Sequence, residues 1–257
     1  ERLERLACLA LPAVAWEADV LPARTLAYDS VAFDAALETS GLRWFGAGTK
    51  KVLFARPEDL DLAGFARRVS DSGLFPDPRA AYDFSALLDI TGLPPKALAE
   101  RLWQAAWKGE ASCPAMSVLR RGVANDFTAE DAYAPSRGGA SHAGPVRRGF
   151  RRTPPGRFAG SLPLSGSWQA LAPPPLPDDP LAAEELAMDR ARLLLARYGV
   201  VCRDMLARES AALSWTAVFR ALRRMELTGE VVSGEFFAGL SGPQFADPGA
   251  VRLLAAG

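Results

Sequence analysis

Histidine is nearly missing from this chain: His142 is the only one in 257 residues. That removes clustered His–carboxylate metal ligands, so no metal site is expected. A Ser–His–Asp triad is equally disfavoured, because His142 sits in a Gly-rich stretch unable to hold it rigidly. Cysteine is scarce and odd in number. Cys8, Cys113 and Cys202 stand apart with no C-x-x-C spacing, which argues against a disulfide framework or zinc site and for three reduced core thiols in a cytoplasmic protein. No apolar run approaches the ~18 residues a bilayer-spanning helix requires. There is no G-x-x-x-x-G-K-[ST], and Gly46-Ala-Gly48-Thr-Lys50 lacks both the first-glycine spacing and a following helix, so no phosphate cradle and no cofactor are expected in this segment. Net charge is missing too, with 30 basic and 30 acidic residues. The chain opens on Glu1 without the basic-then-apolar order of a signal peptide and reads as a piece of a longer polypeptide.

What is present is a pattern written twice. Leu102-Trp-Gln-Ala-Ala-Trp-Lys-Gly109-Glu110 and Leu222-Arg-Arg-Met-Glu-Leu-Thr-Gly229-Glu230 each run an apolar helical face into a Gly-Glu stop. Glycine is the preferred residue just past a helix because it alone adopts φ > 0 without steric cost. After the second stop, two β-prone runs flank Ser233-Gly234, the pattern of a tight hairpin. Helix, helix and hairpin make a winged-helix unit. A third, looser copy has Phe33, Ala36 and Leu37 before Gly41, then a strand–turn–strand through residues 42–54. Length alone suggests about two domains, but three units of roughly 70 residues fit as well and internal repetition decides for three. The expected fold is α+β, mostly helical: a tandem array of winged-helix units over 1–72, 73–175 and 176–257.

Within the first unit, residues 6–20 are expected to be helical, Asp29-Ser30 to cap a helix, and 60–69 to form a short amphipathic helix. Within the second, helices are expected at 80–90 and 96–108, the latter led by Pro95 and standing in the recognition position. Residues 116–119 should open a wing that returns near Trp168. Between these lies 125–161, an insert rich in Arg, Gly and Pro, with no acid from 132 to 160. It cannot bury apolar area and is expected to be mobile and to attract phosphate. After the stiff Pro-rich linker at 173–177, helices are expected from Asp179-Pro180 to 197, over 201–208, from Ser214 to 227, and from Asp247-Pro248 to 254.

The run Arg223-Arg-Met-Glu-Leu-Thr-Gly229-Glu230, with Gly239-Leu-Ser-Gly242-Pro-Gln244-Phe245-Ala246-Asp-Pro248-Gly-Ala250-Val251, resembles the Lhr (large helicase-related) family of superfamily-2 DNA helicases. Tyr198-Gly-Val-Val-Cys-Arg-Asp204, Trp16-Glu17 through Arg24, Gly46-Ala-Gly48, and Thr91-Gly-Leu-Pro94 through Gly109-Glu110 extend the likeness over most of the chain outside the basic insert. The resemblance implies the C-terminal winged-helix region that follows a 3′-to-5′ ATP-dependent helicase core used in DNA repair. It also implies kinship with winged-helix DNA glycosylases, some relatives being associated with uracil excision. Two departures stand out. The likeness includes neither the ATPase domains nor the β-rich segment that usually follows Gln-Phe-Ala, and Asp247 stands where many relatives carry Leu.

The nucleic-acid partner, DNA or RNA–DNA hybrid, is expected on the third recognition helix. There Thr216, Arg220, Arg223 and Arg224 fall opposite Trp215, Val218, Phe219, Leu222 and Met225. Guanidinium groups bind phosphates and guanine edges bidentately, though exposed arginines also serve as plain solvated faces. Lys50 and Lys51 on a wing, with Arg147, Arg148, Arg151 and Arg152 in the insert, would add sequence-independent phosphate contacts. In the second recognition helix, Leu98, Ala99, Leu102, Trp103, Ala106 and Trp107 cover most of the circumference, so it should be buried, with base stacking on Trp103 the rival reading. Asp247 is the one carboxylate suited to base excision, against its routine use as a helix cap. Three functions are weighed: an accessory DNA-binding region that partners a helicase core of the same polypeptide, a glycosylase module, and a protein-interaction scaffold for which self-association stays open.

Overall fold

A computed structural model describes residues 3–65, 73–128, 164 and 166–256. The elements run as follows: β1 Leu11–Pro12, α1 Ala13–Ala15 extended by a π-helical turn Trp16–Val20, α2 Ser30–Ser40, β2 Arg43–Gly46, β3 Lys51–Ala55. Next come β4 Ala81–Tyr82, α3 Phe84–Thr91, α4 Pro95–Trp107, β5 Ala111–Ser112, α5 Met116–Ala124 and β6 Trp168–Ala170. Last are α6 Pro180–Tyr198, β7 Val200–Val201, α7 Trp215–Leu227, β8 Val232–Gly234, β9 Gln244–Ala246 and α8 Pro248–Ala256.

One strand order recurs in all three sheets: β1-β3-β2, β4-β6-β5 and β7-β9-β8, antiparallel throughout. In each, a short strand precedes the helix that ends in a glycine stop, and the last strand returns between it and the strand that follows that helix, which is the winged-helix arrangement in an α+β fold. The strands of each sheet come from one of the segments 1–72, 73–175 and 176–257.

The helix stops match bond for bond. Gly109 and Gly229 sit at φ +70° and +77°. Their N–H groups reach the carbonyls of Ala106 and Glu226, while Glu110 and Glu230 donate to Ala105 and Met225 at 2.8 Å. This is the Schellman pattern, in which two orphan carbonyls of the last turn are satisfied at once. The starts are equally local: the side chains of Asp29, Asp83 and Asp179 accept from the N–H of Ala32, Ala86 and Ala182.

The cores ignore the unit boundaries. On β2 and β3, Trp44, Val52 and Phe54 belong to a cluster shared with the second unit, while Phe45, Leu53 and Ala55 belong to one shared with the third. The first sheet is therefore an inner layer, buried on both faces. This explains why its strands read as a near-continuous apolar run instead of alternating. Gly46 permits the close approach of α4: a Cβ there would lie 2.2 Å from the Ala106 carbonyl oxygen. The Trp103 ring packs against Trp44, Trp107 and Trp168.

Several expectations are corrected. Residues 6–20 are not one helix, because Cys8 takes a left-handed φ of +61° and Leu11–Pro12 pairs with β3. Residues 60–64 are turns ending at Gly64, φ +83°, and 66–72 lie outside the described residues. The helix expected from 80 begins only at Phe84, since Ala81–Tyr82 is a strand paired with β6. Met116 opens a helix, not a wing; its Met116, Val118 and Leu119 are buried in the tryptophan-rich core. Of residues 201–208, Val201 is in a strand and Met205–Arg208 is one 3-10 turn. Ser233-Gly234 is no hairpin turn: it lies inside β8, which pairs with β9 across a longer loop. That loop closes through one side chain. Gln244, buried, accepts from the N–H of Phe236 and Phe237 and donates to the Phe237 carbonyl, replacing the ladder a tighter hairpin would have supplied.

Candidate nucleic-acid interface

Helix α7 is amphipathic because Val218, Ala221, Leu222 and Met225 recur at helical spacing, and all four are buried. Phe245 from β9 packs beneath Trp215 and Phe219, with ring centroids 6.1 and 6.2 Å away. This fixes the roll of the helix. Thr216, Arg220, Arg223 and Arg224 are consequently all exposed, on the side away from the core.

Two of the arginines are engaged. Arg223 bonds Glu226 at 2.6 Å, and Arg224 pairs with Glu184 of α6. Among the described residues Arg220 makes no ion pair. Exposed pairs of this kind contribute about 0–1 kcal/mol, so a phosphate can displace the carboxylate at small cost. At the helix start, the Ser214 hydroxyl donates to the Ala211 carbonyl and does not cap α7. The flank is set by Arg192, which bonds both Asp189 and Glu230 and holds the Glu230 carboxyl below its ordinary value.

The other expected phosphate ligands fare differently. Lys50 sits at the β2–β3 turn with φ +57° and is bound to Asp126 at 2.6 Å, while Lys51 is exposed on β3. Arg147, Arg148, Arg151 and Arg152, like His142 and most of the insert, lie outside the described residues. Helix α4 presents no nucleic-acid face on its apolar side. Trp103 is 5% exposed and enclosed by four aromatic rings, so base stacking on it is ruled out by burial. The Asp247 carboxylate accepts from the N–H of Gly249 at 2.7 Å and Ala250 at 3.1 Å, closing the first turn of α8.

Two charged clusters escaped sequence reasoning. Arg120 of α5 binds Asp34 and Glu17, and Glu17 also accepts from Tyr28. Arg197 pairs with Glu209, both nearly fully buried, and donates to the backbone carbonyls of Arg5 and Ala7. No local signal announces a bond between groups 192 positions apart.

Comparison with known proteins agrees with this architecture. Two family models described as the winged-helix domain of large helicase-related protein match, one over residues 180–257 and the other over residues 1–59. "Lhr helicase/uracil glycosylase" of Escherichia coli (strain K12) is 27% identical over 281 aligned positions, covering 95% of this chain. "Lhr helicase/ probable uracil glycosylase" of Mycolicibacterium smegmatis is 26% identical, covering 98%. The chain spans only 17% of the length of each of these relatives. With the two family models placing winged-helix domains where the first and third sheets lie, the chain belongs to the C-terminal winged-helix region of the large helicase-related (Lhr) family.

Proposed function

We propose that this segment is the accessory nucleic-acid-binding region of an Lhr-like ATP-dependent 3′-to-5′ helicase acting in DNA repair, attached to a helicase core in the same polypeptide. The observation that carries the reading is the face of α7: three arginines and a threonine exposed together, on a helix whose opposite side is locked into the core. Recognition helices of helix-turn-helix type enter the major groove, and their cations neutralise phosphate and release counterions. The zero net charge of the chain makes this local clustering, not a global field, the source of attraction. Asp247 is assigned a structural role, since both bonds its carboxylate makes are capping bonds.

The test is a salt titration of duplex binding by the parent and by Arg220→Ala/Arg223→Ala/Arg224→Ala. Affinity should fall, and the slope of log K against log salt should flatten by up to about 0.9 for each phosphate no longer neutralised. Equal affinities and slopes would reassign this face to a protein surface and favour the scaffold reading.

A further inference from the structure

Among the described residues four non-glycine residues take a left-handed φ, and three of them meet at one point. Lys50, at +57°, is on the tip of the first wing, while Asp126 and Phe127, at +54° and +59°, follow the end of α5. The Lys50 ammonium bonds the Asp126 carboxylate at 2.6 Å, across 76 positions of sequence. A left-handed φ is costly for any residue with a Cβ and most unusual for a bulky one such as Phe127. Strain of this kind gathers at ligand clamps and switch regions.

The strained turn is held from two sides. The Phe127 ring lies 4.9 Å from both the Trp103 and Trp107 centroids, nearly perpendicular to each. Gly122 leaves room for it, since a Cβ there would lie 2.5 Å from the ring. The Phe127 N–H reaches the Gly122 carbonyl at 2.6 Å, and the Asp126 N–H the Val123 carbonyl at 3.3 Å. The other hold is the ion pair, and it is weak, because the Lys50 and Asp126 side chains are 46% and 77% exposed. Beside them Asn125 Oδ1 is buried with no hydrogen-bond partner among the described residues, a further cost of the closed arrangement. The Gly48 N–H bond to the Trp107 carbonyl sets Lys108 next to the same wing tip. Lys51 and Lys108 are exposed, and among the described residues neither makes an ion pair.

We propose that Lys50 is a phosphate site for a polynucleotide backbone that Asp126 keeps closed, and that a phosphate taking Lys50 frees Asp126 and Phe127 from the left-handed turn and from the tryptophan pair. The inference rests on the reading of this segment as nucleic-acid-binding. A ligand shifts such an equilibrium only through a difference in affinity for the two states. Here that difference is built in, because Lys50 cannot face a phosphate and Asp126 together without setting two like charges side by side. A polynucleotide suits the site better than a free ion, since its other contacts hold each phosphate at high effective concentration. Backbone binding on the first wing is thereby felt at the Trp103–Trp107 pair in the core of the second unit.

The experiment follows amide hydrogen exchange of residues 123–128 in the whole chain, free and saturated with a short DNA duplex. Duplex should speed exchange at Asp126 and Phe127 by about tenfold or more, the reverse of the protection that binding confers on a contact surface. Inorganic phosphate at the same phosphate concentration should leave exchange as in the free protein, and an equal acceleration would overturn the polynucleotide assignment. Lys50→Gln should bind duplex more weakly and lose the acceleration. Asp126→Asn keeps a residue that tolerates left-handed backbone, and it should bind duplex about two- to fivefold more tightly, the worth of an exposed pair. In Lys50→Gln/Asp126→Asn that gain should vanish, whereas mere removal of a negative charge would preserve it. The proposal falls if exchange in the saturated parent is unchanged or slowed, if Asp126→Asn gains nothing, or if its gain survives in the double variant. The α7 triple variant, saturated at higher duplex concentration, should show the same acceleration as the parent. Slow exchange in both while duplex is bound rejects the latch and leaves the α7 reading standing; a parent without duplex affinity rejects both.

Discussion

Helices α4 and α7 hold the same place in their units and end in the same Schellman stop, yet one is buried and the other is a surface. Six residues of α4 are buried, against four of α7, which leaves its arginines in solvent. The difference lies in the neighbours. Gly46 of β2 lets the α4 backbone press against the first sheet, and the Gly48 N–H bonds the Trp107 carbonyl at 3.1 Å. Among the described residues, no such strand lies over the arginine side of α7. Two copies of one local design therefore serve as a strut and as a candidate binding face. Repetition conserves the module, while packing between modules assigns its use.

The sharpest break of this comparison is truncation of the α4 core. Trp103→Ala should lose about 3–5 kcal/mol in chemical denaturation, because the surrounding rings cannot collapse into the space. Loss of less than about 1 kcal/mol would show that α4 is not the strut described.

The matched glycines give the next effect. Gly229→Ala should lose about 1–2 kcal/mol from its left-handed backbone alone, since its Cβ meets nothing within 4 Å. Gly109→Ala faces the same strain and also places its Cβ 2.7 Å from the Phe65 ring, adding about 1–3 kcal/mol of overpacking. Equal melting temperatures for the two variants would mean that Phe65 yields freely.

The thiols offer a smaller, pH-dependent check on the two cores. Burial raises Cys8 to about 12 and Cys113 to about 11, from an ordinary 9.0. The unfolded chain therefore releases these protons first as pH rises. Their contribution to stability is full below about 9 and is lost as pH climbs through 11 to 12. Denaturant midpoints measured across that window should fall with rising pH, and fall less in Cys8→Ala/Cys113→Ala once each protein is compared with its own value at neutral pH.

Smallest of all should be the stability change in Arg220→Ala/Arg223→Ala/Arg224→Ala. No cavity forms and only exposed ion pairs vanish, so the melting curve should move by the equivalent of about 1 kcal/mol or less. A larger loss would make the α7 arginines structural and blunt the contrast with α4.

Much of this was legible beforehand. Asp29, Asp179 and the Gly-Glu stops marked helix ends because capping joins groups a few positions apart. The exposed face of α7 followed from its period, as did the burial of Trp103. The two-residue strands β1, β4 and β7 were not legible, since so short a segment has no period and pairs 30 or more positions away: Leu11 with Val52, Val200 with Ala246. The third wing misled because Gln244, an ordinary polar residue in the sequence, turns out to close its loop.

The sequence by itself determined helices α2, α4 and α7, their glycine stops and the recurrence of one module, for these rest on backbone preference and side-chain spacing within a few residues. Only the tertiary structure decided that the first sheet is an inner layer, that α4 is covered while α7 is open, and that Arg5 and Tyr198 border one cleft. Those outcomes depend on which surfaces exclude water from one another. That is a property of segments brought together from opposite ends of the chain, and no local pattern encodes it.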